Sequence, residues 1–238
     1  DLIACYGAVQ ASEESTDGTL EPLVHQLVDV AHWQKGLLQN HSYDGRIGFW
    51  KNYLRSPIPH LRVPADRNPG ATVEGIRALL FLDASIVEKL QAASRRWRTS
   101  MNVVFVTAYA AVLSRRYRQK EILVRLPVAG RPAGAENIVG GFADSILVRV
   151  SVPRETSFQE LVRANHDSFY SALDHAVPFS LVSRALEVEP VERERLSWVV
   201  LNLEQNVSSK ERGSLAFGTG TIQAMSIPSA ETAVMHAF

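Results

Sequence analysis

Four prolines within one short stretch divide this chain of 238 residues into two parts. They are Pro57, Pro59, Pro64 and Pro69. Proline lacks the backbone N–H that a helix needs, and its ring clashes with the preceding turn, so no helix can continue through this stretch. The sequence therefore predicts a boundary at this linker, with a helical pattern and the proline-rich stretch over residues 1–71 and a different pattern over residues 72–238.

Before the prolines, apolar residues recur at helical spacing. The pattern predicts one helix at residues 2–9, a second that follows Pro22, and a third from about Tyr43 to Leu54.

After the prolines, strand and helix patterns alternate. Strands are predicted at residues 72–82, 121–128, 145–152, 198–203 and 215–227. Helices are predicted after Asp83 or Ser85, over residues 101–117, from Ser157 to about Leu173, and after Pro178. Ser85 with Glu88 and Ser157 with Glu160 both have the spacing of a capping box. About five strands with helices between them predict an α/β layered core, and their continuous apolar runs predict a sheet covered on both faces.

Composition excludes several classes of protein. The 25 Lys and Arg residues balance 25 Asp and Glu residues, whereas proteins that bind nucleic acid usually carry a basic face. A single cysteine, Cys5, excludes a disulfide framework and a multi-cysteine metal site, and it fits a reducing compartment such as the cytoplasm. No apolar run reaches the roughly 18 residues that a membrane-spanning helix needs. We therefore expect a cytoplasmic protein with no nucleic acid, membrane or metal among its partners.

The residues suited to acid–base or nucleophilic chemistry form none of the common motifs. The seven histidines include no adjacent pair, and the HExxH, GxSxG and CxxC patterns are absent. His25 and His32 share a helix face, but no acid or cysteine completes a metal set, so packing is the favoured interpretation. Gly218-Thr219-Gly220 lies between strand-like runs and opens no helix, which favours a hairpin over a dinucleotide loop.

Two basic clusters, at residues 95–98 and 115–118, each place an aromatic ring among three arginines. Such clusters can grip phosphate. Each also ends a predicted helix, where cations are favoured by the negative end of the helix dipole. We interpret both clusters as solvated helix ends, with phosphate binding as the alternative.

Several segments, in order along the chain, resemble the condensation domains of nonribosomal peptide synthetases. The clearest are PVAGR at residues 127–131 and IVGGFADSILVR at residues 138–149, where the family has PVAGR and IGxFVNTLxLR. The others are VDVAHWQ at 28–34, FW at 49–50, VPADR at 63–67, the helix at 99–117, VPF at 177–179, and Asn202-Leu203 at a later FNxQ strand. The resemblance covers nearly the whole chain.

The resemblance implies one lobe of a two-lobe fold like that of chloramphenicol acetyltransferase, preceded by connecting helices. It implies amide-bond formation between aminoacyl or peptidyl thioesters held on phosphopantetheine arms by upstream and downstream carrier proteins, beside an adenylation domain. In the family, the catalytic HHxxxDG loop precedes a helix that resembles residues 2–9, so we expect that loop and the N-terminal lobe before Asp1. Residues 1–238 alone are then expected to be inactive and, with apolar surface uncovered, to aggregate.

The resemblance also assigns site residues, none of them catalytic in this chain. Those expected to line the substrate tunnel or the lobe interface are Pro127, Gly130, Arg131, Gly140, Gly141, Phe142, Asp144, Ser145 and Arg149. Those expected to support the fold are Asp29, Trp33, Gln34, Asp66, Arg67, Pro178 and Phe179. Gly140 and Gly141 permit close backbone approach, although a turn before a strand explains them equally well. Arg131 and Arg149 are candidates for pairing with acids of the other lobe, with ordinary surface pairing an equal alternative for Arg149.

Three segments depart from the family pattern. Asp144 and Ser145 replace an Asn and a Thr, Arg125 replaces a small Gly, and residues 174–180 lack both acids of the family's HQDxPFE. These departures support an alternative function: a non-catalytic condensation-like domain that serves as a docking platform for a carrier protein or a tailoring enzyme.

Overall fold

The computed structural model describes residue 9 and residues 22–55, 57–62, 82–197, 199–203, 215–217 and 220–222. Most of the predicted first helix, nearly all of the predicted strand at 72–82, and Asp66 and Arg67 of the linker lie outside the described residues.

The helices and strands of the described residues follow the predicted order. They are α1 (Leu27–Gln39), α2 (Asp44–Tyr53), α3 (Ala84–Arg96), α4 (Met101–Tyr117), β1 (Glu121–Val128), β2 (Asp144–Ser151), α5 (Phe158–Asp174), α6 (Phe179–Ala185), α7 (Pro190–Arg195), β3 (Leu215–Phe217) and β4 (Gly220–Ile222). The bounds of α4 and β1 match the prediction, and β2 begins one residue earlier than predicted. The short helix α7, which begins with a proline, was not anticipated from the sequence.

The sequence marks the starts of two helices, α5 and α3, with residues that can cap them. The Ser157 hydroxyl accepts from the Glu160 backbone N–H, and the Glu160 carboxylate accepts from the Ser157 N–H at 2.9 Å, so the capping box predicted before α5 is confirmed. Of the two N-cap candidates for α3, the structure uses Asp83, because the helix begins at Ala84 and Ser85 lies inside it.

The central strands pair antiparallel over their full length. The register runs from Glu121 opposite Ser151 to Val128 opposite Asp144. On the other edge of β1, Val200 forms a single parallel bridge to Arg125. The strand predicted at 198–203 is therefore wrong for residues 199–203, which carry this bridge but no regular strand. Separately, β3 and β4 pair antiparallel, which confirms the hairpin predicted around Gly218. The single strand predicted at residues 215–227 is therefore wrong, because the chain reverses between two short strands.

Both faces of the β1–β2 pair are buried. Ile122, Leu123 and Val124 are consecutive and at most 3% exposed, and successive side chains of a strand point to opposite faces. Helix α4 packs against both strands, α5 packs against β2 and α4, and α6 also contacts β2. The prediction of a sheet covered on both faces is confirmed for these two strands.

Helix α2, from the first part of the chain, is docked onto this core. Its Trp50 is 1% exposed, and the indole N–H donates to the His175 carbonyl at 2.8 Å, beyond the end of α5. The Tyr53 hydroxyl lies 2.5 Å from the Ser168 hydroxyl and accepts from the Arg149 N–H at 2.8 Å. These bonds hold α2 beside the point where α5 ends and α6 begins.

Candidate functional site

A cleft of about 370 Å³ opens where β1 ends and β2 begins, and we call it the strand-end cleft. Its floor comes from the loop that joins the two strands and from the segment before α6, and one wall comes from α1. The lining residues are Leu27, Val30, Ala31, Trp33, Gln34, Tyr43, Arg46, Val128, Gly130, Arg131, Pro132, Gly141, Phe142, Ala143, Asp144, Ala176, Val177 and Pro178. The fold thus brings together eight of the residues singled out in the sequence, from four separate motifs.

Arg131 organises the loop that forms the floor. One guanidinium nitrogen donates to the Ala135 carbonyl at 2.7 Å and to the Ile138 carbonyl at 2.6 Å. The guanidinium also lies 4.1 Å from the centre of the Phe142 ring, at the distance of a cation–π contact. A planar group with several donors can hold two carbonyls and a ring at once, so Arg131 fixes the loop in one shape.

Two glycines of the loop, Gly130 and Gly141, differ in what a side chain would meet at their positions. Gly130 has φ +59°, and a Cβ there would collide with the Phe142 carbonyl oxygen, so a side chain is excluded on both counts. A Cβ added at Gly141 would meet no atom within 4 Å. Gly141 therefore keeps the cleft wide, whereas Gly130 allows the loop to close on itself. Gly140 lies beside the Leu27 side chain of α1.

Asp144 joins the start of β2 to the start of α6. Its Oδ1 accepts from the Ser145 N–H at 2.7 Å and from the Phe179 N–H at 2.9 Å. Phe179 is the first residue of α6, and the backbone N–H groups at a helix start lack partners within the helix. The Asp144 carboxylate therefore caps α6 from another element. An asparagine at this position also offers an Oδ1 acceptor, so the bonds do not require the charge.

Arg125, on β1, also contacts the first residue of α6. Its guanidinium lies 4.3 Å from the centre of the Phe179 ring and donates to the Ser197 hydroxyl at 2.9 Å. Two of the departures from the family pattern, Arg125 and Asp144, thus both contact Phe179. These contacts of Phe179 hold the start of α6 against β1 and β2.

The α1 wall exposes apolar residues. Trp33 is 52% exposed and Val28 is 59% exposed, and Leu27 and Leu38 are also exposed. Asp29 does not line the cleft, because its carboxylate accepts from the Gln26 N–H at 2.8 Å as part of the α1 capping box. The α1 wall therefore offers apolar contact area rather than charge.

Other residues predicted for the tunnel or interface lie elsewhere. The Arg149 guanidinium donates twice to the Glu121 carboxylate across the strand pair, at 3.1 and 2.7 Å. Pro127 and Ser145 face each other in the β1–β2 register and do not line the cleft. Arg149 thus makes an ordinary pair within this lobe, and its pairing with another lobe stays a prediction.

Tyr43 and Arg46 also line the cleft, although the sequence did not predict them there. Burial raises the pKa of the Tyr43 hydroxyl above its ordinary value, and the Arg46 charge lowers it by less. Arg46 donates to the Ala176 carbonyl at 3.3 Å. Neither residue lies in a motif that the resemblance marked, so no sequence signal identified them.

The chemistry that the strand-end cleft can perform is limited by its residues. Its described lining includes two arginines and one aspartate but no histidine, cysteine, serine or lysine. Among the described residues, no group of three His, Cys, Asp or Glu is arranged to hold a metal ion. The described part of the lining can therefore hold a ligand through arginine charge and apolar contact.

No helix in the described part of the chain is long and apolar enough to cross a membrane.

Comparison with known proteins finds a matching family model and related sequences. The family model for the condensation domain matches residues 1–234. Tyrocidine synthase 3 of Brevibacillus parabrevis is 30% identical over 175 residues, which is 71% of this chain but 3% of that protein. Phosphinothricin tripeptide synthetase PhsC of Streptomyces viridochromogenes is 28% identical over 212 residues, which is 87% of this chain and 20% of that protein. The chain thus spans a small part of these curated relatives.

Two solved structures share the fold. The X-domain from teicoplanin biosynthesis is 25% identical with a TM-score of 0.71, over 84% of this chain and 46% of that one. The X-domain in its complex with OxyB, also from teicoplanin biosynthesis, is 26% identical with a TM-score of 0.67, over 79% of this chain and 43% of that one. The expected α/β fold, like that of chloramphenicol acetyltransferase, is confirmed. Because the family model covers almost all of its residues, this chain belongs to the condensation domain family of nonribosomal peptide synthetases.

Proposed function

We propose that this chain is the C-terminal part of a condensation domain that forms an amide bond between two carrier-bound aminoacyl or peptidyl thioesters. The observation that carries the proposal is the strand-end cleft, where Gly130 and Arg131 of one motif meet Gly141 and Phe142 of the next. In this proposal the cleft forms part of the passage for a phosphopantetheine arm, and Gly141 keeps that passage open.

The proposed reaction requires no nucleophile from the side chains of the cleft. The nucleophile in amide formation is the acceptor amine of the substrate, so the protein need not supply one. Positioning two bound reactants can contribute about 7–11 kcal/mol to lowering the barrier. The cleft walls would provide that positioning, and a histidine from the family's HHxxxDG loop, outside this chain, would assist proton transfer or stabilise the tetrahedral intermediate.

The proposed partners follow from this chemistry. They are an upstream and a downstream carrier protein, an adjoining adenylation domain and an N-terminal lobe, within a cytoplasmic multidomain synthetase. The exposed apolar residues of α1, including Val28 and Trp33, fit a position between lobes.

The Gly141→Leu variant tests the proposal, with Gly45→Leu as its matched control. Both glycines have open space where a Cβ would be added, but only Gly141 lines the cleft. In an assay of the intact domain with both carriers loaded, we expect Gly141→Leu to slow amide formation by about tenfold or more. Gly45→Leu should retain the normal rate, and neither variant should melt below the normal temperature, because leucine favours the helix that contains Gly45. Normal turnover by a folded Gly141→Leu variant would refute the role of the cleft.

The second candidate function is a docking platform for a carrier protein or a tailoring enzyme. A structural neighbour is known in a complex with a second protein, OxyB, which supports this alternative. Asp144, Ala176 and Ser180, which depart from the family motifs, support it as well. The same assay separates the two functions: turnover of loaded carriers by the intact domain at ordinary rates excludes a purely non-catalytic platform, whereas its absence, with a partner still bound, supports it.

A further inference from the structure

A second cleft, of about 360 Å³, lies at the opposite end of the β1–β2 pair, and we call it the basic cleft. Its walls are the end of α4, the start of β1, and the segment between β2 and α5. Four of its lining residues are cationic and one is acidic. They are Arg115, Arg118, Lys120, Arg154 and Glu155. The cleft therefore carries an excess of three positive charges, in a chain whose net charge is zero.

The charged groups of the basic cleft have no protein partners among the described residues. None of its four cations lies within 4.0 Å of a described carboxylate oxygen, and none donates a side-chain hydrogen bond to a described residue. The neutral polar groups, in contrast, are occupied. The Ser114 hydroxyl donates to the Gln119 carbonyl, and the Gln119 amide bonds to the Arg62 N–H at 2.6 Å and to the His60 carbonyl at 3.1 Å. Among the described residues, the four cations are therefore available to bind an anion, whereas the Glu155 carboxylate opposes one.

The helix dipole explains only part of this charge. Arg115 lies in the last turn of α4, where a cation stabilises the helix end. Lys120 precedes β1, and Arg154 follows β2, so neither belongs to that helix. The Val152 N–H donates to the Lys120 carbonyl at 2.7 Å, which holds the two walls together. Cations from three segments thus face one cleft with a fixed backbone.

We propose that the basic cleft binds a small molecule that carries phosphoryl groups. Arginine presents a planar set of donors that matches phosphate oxygens, and lysine adds a mobile point charge. One phosphate monoester carries about 1.5–2 negative charges at pH 7, so two phosphoryl groups match an excess of three positive charges better than one does. The volume lies within the range of small-molecule pockets, which begins at about 300 Å³.

This site is separate from the strand-end cleft. The two clefts lie at opposite ends of eight-residue strands, a distance of roughly 25 Å at about 3.3 Å per residue. A ligand in the basic cleft would not enter the proposed substrate passage. Phosphate binding by the basic cleft can therefore be tested independently of the proposed function, and Gly141→Leu should not change it.

The test is calorimetric titration of the intact protein with inorganic pyrophosphate, adenosine diphosphate and adenosine. We expect the two phosphorylated compounds to bind and adenosine not to bind. Binding should weaken as salt rises from about 0.1 M to about 1 M, because the screening length falls from about 10 Å to about 3 Å. Equal affinity for pyrophosphate and adenosine diphosphate indicates an inorganic ligand, and tighter binding of adenosine diphosphate indicates a nucleotide. Failure of both to bind overturns the proposal.

Two variants separate a built site from general surface charge. The double variant Arg115→Ala/Arg154→Ala removes a cation from each wall, and we expect affinity to fall by about fivefold or more. Arg116→Ala is the matched control, because Arg116 contacts the Tyr117 ring and does not line the cleft. If the alanine pair does not fold, Arg115→Gln/Arg154→Gln removes the same charges while keeping most of the side-chain length. Equal loss in the control, or no loss in the folded double variant, overturns the proposal.

Discussion

Replacing Asp144 with alanine removes the link between the strand-end cleft and α6. Two backbone N–H groups, those of Ser145 and Phe179, lose their acceptor. Loss of an N-cap acceptor costs about 0.5–2 kcal/mol, typically 1, and loss of a second hydrogen bond costs about 1 kcal/mol. We therefore expect Asp144→Ala to lower the free energy of unfolding by about 2 kcal/mol. In a domain of 150–250 residues this would lower the melting temperature by about 4–8 °C, and in the intact domain, which also contains the N-terminal lobe, it should lower it by less.

Asp144→Asn is the matched variant, because an amide oxygen can accept both bonds. We expect its melting temperature to lie within about 2 °C of the wild-type value. Differential scanning calorimetry of the intact domain measures both variants, and the condensation assay run in parallel shows whether the family's asparagine changes the rate. If Asp144→Ala melts like the wild type, or if Asp144→Asn is as unstable as the alanine variant, the hydrogen bonds to Asp144 do not stabilise the start of α6 as expected.

Three further outcomes are expected. Asn165→Ala should lower the free energy of unfolding by about 3 kcal/mol in chemical denaturation, since this buried amide makes three hydrogen bonds to the backbone of β2 and α5; a loss below about 1 kcal/mol would contradict this. Burial and the Arg195 charge lower the pKa of His60 in the folded protein, so as the pH falls His60 is protonated in the unfolded chain before it is protonated in the folded protein. Stability should therefore fall as the pH drops below about 6.5, and His60→Gln should reduce that fall in thermal melts; an unchanged profile would refute it. Residues 1–238 alone should bind a hydrophobic dye through the exposed apolar residues of α1 more than the intact domain does; a monodisperse monomer without dye binding would show that this lobe folds autonomously.

The elements that the sequence predicted most accurately are those with local signals. The bounds of α4 and β1 agree with the prediction, and the capping box of Ser157 and Glu160 forms as its spacing indicates. Hydrophobic period and capping act within one or two turns of chain, so a short window contains the information. Where two local signals competed, at Asp83 and Ser85, the sequence left the choice open, and the structure uses Asp83.

The site was predicted in part, because motifs mark residues but not their contacts. The sequence singled out Gly130, Arg131, Gly141 and Phe142, and the fold places all four in one cleft. It did not separate Gly130, where a side chain would collide, from Gly141, where one would enter open space. That difference depends on the return path of the loop between β1 and β2, which the local pattern does not encode.

The sequence by itself determined the family, the order of the elements from α1 to α6, and the burial of the central strands on both faces. Only the tertiary structure decided which residues work together across long separations. The Trp50 indole meets the His175 carbonyl across 125 positions, and the Asp144 carboxylate caps α6 across 35 positions. The same is true of the basic cleft, where Arg154 joins the cations at the end of α4. Such contacts depend on how elements pack in three dimensions, because residues far apart in sequence meet only after the chain has folded.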